Sequence, residues 1–205
     1  MTQTLERVRA HLSAHFRRDG IDTEPDVASV SFLGAEPIEV LRFRPGADEV
    51  VHYVSLGCSR HPMTDATNSA ALHADSERGP RAEVVLQLRN PGPITRLAHS
   101  LAIVAASPAV EGVVLTEDAL IDLGSPLWDN PSGPAPFTAM LLGGSDIADL
   151  PLDPPRDPIR FLSATPITAT EAAWVRLRGA DAMRDAWRSD GVDVLNPNRP
   201  AAQPS

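Results

Sequence analysis

Residues 3–19 carry Leu5, Val8, Leu12 and Phe16 on one stripe at helical spacing and stop at Gly20, which predicts an N-terminal helix. The period then drops to two. Ala28, Val30 and Phe32 alternate with serines, a second run (IEVLRFR) opens after Pro37, and a third (EVVHYVSLG) closes at Gly57. Their short connections predict an antiparallel meander. Residues 58–80 lose all periodicity, and 66–79 reads as a mobile excursion. The cleanest strand follows at 81–89, where Val84, Leu86 and Leu88 alternate with Glu83, Val85, Gln87 and Arg89. Pro91-Gly92-Pro93 opens a second helix over 94–107, whose alanines permit close packing. Short strands are expected at 112–115, 119–123, 136–142 and 158–165, between prolines that crowd the stretch 108–166. Helices return at 169–178 and 180–188. Thr168 and Glu171 have the spacing of a capping box, in which side chain and backbone satisfy each other at a helix start.

The pattern describes a single α+β domain with a mixed, mainly antiparallel sheet flanked by helices. Its parts are an N-terminal helix (1–24) packed on a body (25–195), with a disordered proline-rich tail (196–205). The 205 residues, 42% of them hydrophobic, suffice for a core without metals or disulfides.

Composition narrows the function. No stretch reaches the length of a membrane span, and the charged, amphipathic start lacks a signal-like apolar block. One cysteine, Cys58, forms no internal disulfide, so a reducing cytoplasm is expected. Aromatic residues are sparse, which argues against stacking platforms for sugars or single strands. The net charge is −9, and every basic residue except histidine is arginine. Residues 117–157 hold eight acids against Arg156 alone. Such a surface disfavours nucleic acid and suits a basic protein. Asp122, Asp129, Asp146, Asp149 and Asp153 are therefore the candidate partner-binding residues. Solvated charge that maintains solubility is the plainer reading of the same run.

The densest reactive set lies between His52 and His61. Cys58 and His61 sit just past a strand end, where a thiolate–imidazole pair needs a third, orienting group that the sequence does not supply. A zinc site from Cys58, His61, His52 and His73 lacks a second ligand pair at recognisable spacing. The plain reading makes Cys58 a small buried hydrophobe. Nucleophile-elbow, phosphate-loop and calcium-loop spacings are absent. Trp174 and Trp187 fit core packing better than an exposed anchor. No catalytic residue, cofactor or metal is assigned. A small enzyme using Cys58 and His61, or a structural subunit of a homo-oligomer, are the alternatives.

Three stretches in order carry a resemblance. They are His52-Tyr53-Val54-Ser55-Leu56-Gly57-Cys58-Ser59, then Gly79 to Arg89 around Glu83, then Pro166 to Glu171 and Trp174 with Gly179 to Met183. Together they resemble the suppressor-of-fused (SUFU) domain family in its stand-alone bacterial form, from about residue 25 to 195. The resemblance implies an α+β fold, a protein-binding role and no known catalysis. Animal members clamp a peptide of a transcription factor between two domains. A chain of 205 residues leaves no room for the second, so that clamp is not carried over. Bacterial relatives look like immunity proteins, which implies a partner such as a basic toxin. A monomer or weak homodimer is expected.

Overall fold

The computed structural model describes residues 2–64, 77–129 and 136–202. Helix α1 (Thr2–Arg18) leads into β1 (Asp26–Phe32), β2 (Ala35–Phe43) and β3 (Val50–Leu56), then a 3-10 turn at Cys58–Arg60. Next come β4 (Arg81–Arg89), α2 (Leu97–Glu111), β5 (Leu120–Asp122), β6 (Phe137–Gly144) and β7 (Ile159–Thr168). Helices α3 (Ala169–Arg178) and α4 (Ala180–Ser189) follow. The strands form one sheet in the order β1-β2-β3-β4-β7-β6-β5. The β4–β7 pair is parallel, and every other named pair is antiparallel. The α+β reading with a mixed, mainly antiparallel sheet stands.

Strand alternation divides the core. Val84, Leu86 and Leu88 of β4 face α2, and with Leu97, Leu101, Val104, Leu127 and Trp128 they build the largest apolar cluster. Val85 faces the other way, toward Val8, Leu12 and Phe16 of α1 and toward Phe43 and Phe161. Further along that same face, Ala139, Leu141 and Ile167 meet Met183 and Trp187 of the last helix pair. Side chains of full size are excluded from water on both faces. At ~25 cal/mol per Å² of apolar surface, that burial is the main force holding the sheet together.

Several expectations need correction. Residues 112–115 form no strand. Leu115 instead packs into the α2-side core, and its amide points at Met63 Sδ, 3.4 Å away. Helix α2 starts three residues later than its periodicity suggests, after Arg96 in a left-handed conformation, and runs through Pro108. Strand β2 begins before Pro37 rather than after it. The tail is ordered over 196–202, because Arg199 and Ala202 are buried against α3. The excursion at 66–79 lies outside the described residues except for its last three. No helix among the described residues is long and apolar enough to cross a membrane.

Candidate functional site

The conspicuous motif residues converge on two buried carboxylates. The β3–β4 ladder stops at Val54–Val85. Beyond it the Val84 amide donates to Ser55 Oγ (2.9 Å) instead of to a carbonyl. Ser55 in turn donates to Glu83 Oε2 at 2.5 Å. Glu83 Oε1 accepts from the Gly57 amide (2.9 Å), the Ser59 amide (3.0 Å) and Ser59 Oγ (2.6 Å). One side chain thus replaces the backbone partners lost where the strand ends, which explains why a serine, a glycine and a serine recur at spacing two. Gly57 sits at φ 136°, a conformation open to glycine but not to ordinary side chains. Burial pushes the Glu83 carboxyl up, and the four donors only partly offset it. Arg81, beside it, donates to the carbonyls of Ser59 and Arg60 and fixes the far side of the turn.

The second carboxylate is Glu171. The capping box is present: Thr168 and Glu171 exchange side-chain and backbone bonds at the start of α3. Arg199 clamps the same carboxylate with both Nη atoms, at 2.7 and 3.0 Å. Trp187 Nε1 (3.0 Å) and the Ala202 amide (3.1 Å) complete its shell. Burial raises the Glu171 carboxyl, but Arg199 and the amide and indole donors outweigh it, leaving it below the usual range. Arg199 went unnoticed in the sequence because it lies in a proline-rich tail. Its signal was faint: an arginine placed among residues that otherwise lack charge.

The remaining motif residues separate. His52 turns toward α1, where its ring meets Phe16 and its Nδ1 lies 3.2 Å from Gln87 Nε2. Tyr53 turns toward α2. Trp174 is half-buried, and the Arg178 guanidinium lies over its ring. Cys58 and His61 do not pair. His61 is exposed and reaches Glu36 at 3.0 Å. Cys58 is buried, and burial together with Glu83 raises its thiol well above the ordinary value. A thiol so placed is not activated at neutral pH. No group of three metal-binding side chains occurs among the described residues.

The acidic run is dispersed. Arginines distant in sequence pair with Glu117 (Arg160), Asp118 (Arg184), Asp122 (Arg176), Asp129 (Arg96) and Asp153 (Arg7), and the neighbouring Arg156 also reaches Asp153. Asp122 lies on β5 and Asp129 beside the start of α2, whereas Asp146, Asp149 and Asp153 follow β6 near α1. Among the described residues Asp146 and Asp149 are exposed and have no arginine partner. The five candidates therefore form no single patch.

Strand addition to an exposed sheet edge is a contact the sequence allows without saying which strand offers it; the sheet order places β1 at an open edge. Among the described residues strand β1 pairs only with β2, and its first four residues are exposed. It carries no proline, its one charge is Asp26 at the start, and its register with β2 shifts only near its end, between Val30 and Phe32, so residues 27–30 present a regular edge. Two clefts flank it on the α2 side. One, of about 370 Å³, lies at the β1–β2 turn over Ile38, Cys58, Ala105 and Ala109. The other, of about 380 Å³, lies at the start of β1 between Ala28, Val40, Arg42, Tyr53, Arg96 and Leu97.

An α+β domain whose buried polar groups are bound up in internal supports, and whose open features are a strand edge and two clefts, has the make-up of a binding domain. The chain belongs to the suppressor of fused family: the family model "Suppressor of fused protein (SUFU)" matches residues 34–200. Solved structures agree on the fold. A protein assigned as a SUFU homologue from Neisseria gonorrhoeae superposes with a TM-score of 0.67 at 17% identity, covering 99% of this chain and 98% of that one. Sufu from a Sufu–Fu complex gives 0.65 at 16%, covering 97% and 91%. Drosophila Suppressor of Fused gives 0.64 at 15%, where 95% of this chain covers 50% of that longer one. No curated protein matches the sequence.

Proposed function

We propose that this chain is a non-catalytic protein-binding module that takes an extended segment of its partner onto the free edge of β1. The observation that carries this reading is the seven-residue edge itself, unpaired on its outer side among the described residues and free of proline. Unpaired amides and carbonyls bind an added strand through main-chain hydrogen bonds, while neighbouring pockets select alternate side chains. The family match and the Sufu–Fu complex among similar structures support a protein as the ligand. The raised Cys58 thiol and its separation from His61 weigh against the thiol-enzyme alternative.

The test is capture of the partner from the native cell, followed by amide hydrogen exchange on the complex. Amides of residues 26–32 should exchange at least about tenfold more slowly when the partner is bound, as expected where exposed groups become paired. Protection confined to other surfaces would overturn the edge reading.

A second reading, in which the partner is a basic toxin and the chain its cytoplasmic immunity protein, is favoured by one observation. Asp146 and Asp149 remain exposed carboxylates without an arginine among the described residues. Such charges speed the encounter with a basic surface more than they lengthen the life of the complex.

A further inference from the structure

We infer that the segment bound along β1 carries an acidic side chain near its C-terminal end and an apolar one six residues earlier. The inference rests on the edge-binding reading and adds to it the chemistry and polarity of the ligand. The cleft at the start of β1 is cationic in a chain of net charge −9. Arg42 and Arg44 share one carboxylate, Asp26, at 3.1 and 3.3 Å. Arg96 has Asp129 at 3.6 Å, so three guanidiniums face two carboxylates. Arg42 is aimed by Tyr53, whose hydroxyl accepts from its Nε at 3.4 Å. The Nη2 groups of Arg42 and Arg96 have no acceptor among the described residues. Arg96 also holds φ 70°, a left-handed backbone that is unfavourable for a non-glycine residue and is retained where the surroundings require it.

The opposite cleft differs in kind. Its lining is mainly apolar, with Ile38, Pro62, Ala105, Ala106 and Ala109, and its charged members, Arg60, His61 and Glu36, are engaged with one another. It fits an apolar side chain. The cationic cleft opens at the start of β1 and the apolar one just past its end, from Gly34 and Ala35 of the β1–β2 turn onward, and a seven-residue strand spans roughly 20 Å. The β1–β2–β3–β4 ladder is antiparallel throughout, so a strand that continues it runs from the apolar cleft to the cationic one. Side chains on one face of a strand recur every second residue, so a separation of six keeps both anchors on the α2 side.

The test uses labelled nine-residue peptides, amidated at the C-terminus, titrated against the full chain by fluorescence anisotropy. The reference peptide alternates threonine and valine, with leucine at its second position and aspartate at its eighth. It should bind about tenfold more tightly than the same peptide with asparagine at the eighth position, as a charge-assisted fork contact warrants. Moving the aspartate to the seventh position, on the other face, should abolish the gain. On the Arg42→Gln/Arg96→Gln chain the gain should fall below about twofold. Arg96→Gln alone, whose side chain is half exposed, should give an intermediate loss and guards against misfolding of the double variant. Equal binding of the aspartate and asparagine peptides, with β1 amides still protected, overturns the acidic anchor and leaves the edge reading intact. Failure of every peptide to bind or to protect β1 overturns both.

Discussion

Glu83 illustrates what a buried carboxylate does when no arginine faces it. Its four donors come from one turn and one strand end, and each would be orphaned by its removal. Glu83→Ala should destabilise the chain by about 4 kcal/mol in urea unfolding, since each unsatisfied buried group costs roughly 1–3 kcal/mol. Glu83→Gln should cost about 1–2 kcal/mol, because an amide oxygen still serves the Gly57 and Ser59 donors while its NH2 faces Ser55 Oγ. Equal losses in the two variants would show that shape, not acceptance, is what the site requires. At this scale the sequence was partly legible. It displayed Ser55, Gly57, Ser59 and Glu83 as a motif, but chemical reactivity drew attention to Cys58 and His61 instead. Spacing alone does not reveal that the serines and the glutamate bond each other across 28 residues. That depends on where the β3–β4 ladder ends, which is a property of the folded sheet.

At the scale of elements, alternation and capping were easily read. The β4 strand and the α3 cap follow from local spacing, because both are decided by neighbours in the chain. The C-terminal segment was not, because its order comes from one long-range contact between Arg199 and Glu171. That contact has a pH signature. The Glu171 carboxyl sits below its ordinary value in the folded chain. Its contribution is therefore fully present above the unfolded value of about 4.5 and is lost as the pH falls through the folded one. Glu171→Gln should cost about 3 kcal/mol near pH 7, chiefly by leaving the Arg199 charge buried without its counter-ion. The gap between variant and parent should close below pH ~4. A gap that stays constant with pH would mean that the loss is one of packing.

For the whole molecule, charge is the property least predictable from the linear chain. Eight acids crowd 117–157, yet the fold brings distant arginines to five of them. Exposed pairs of this kind add little stability, about 0–1 kcal/mol each, but they remove most of the field that a sequence count suggests. The basic-toxin reading now rests on Asp146 and Asp149, with Asp153 beside them. Changing the three to asparagine should slow partner association about fivefold at low salt, with little effect on dissociation, as steering requires. Stopped-flow mixing at two ionic strengths checks this, and an unchanged rate at low salt removes the reading. Which strand forms the open edge is illegible in the sequence for a related reason. A strand's sequence says which face is apolar, but only the completed sheet says which strands lack a second neighbour.

The parallel seam between β4 and β7 also sets how the chain reaches its fold. Arg81 meets Ile159 across that seam, so the partners are 78 residues apart. On one side of it β1, β2 and β3 are joined by short turns, whereas the α2-side core is complete only once β7 docks beside β4. Closing so long a loop costs entropy before any contact compensates for it, and non-local pairing of this kind is slow. The first three strands can assemble early as a meander, β4 joins them across a connection of 24 residues, and its far margin stays apolar and exposed until β7 arrives. The time that margin spends waiting for its neighbour, more than the stability of the finished sheet, governs how readily the newly made chain is lost to aggregation.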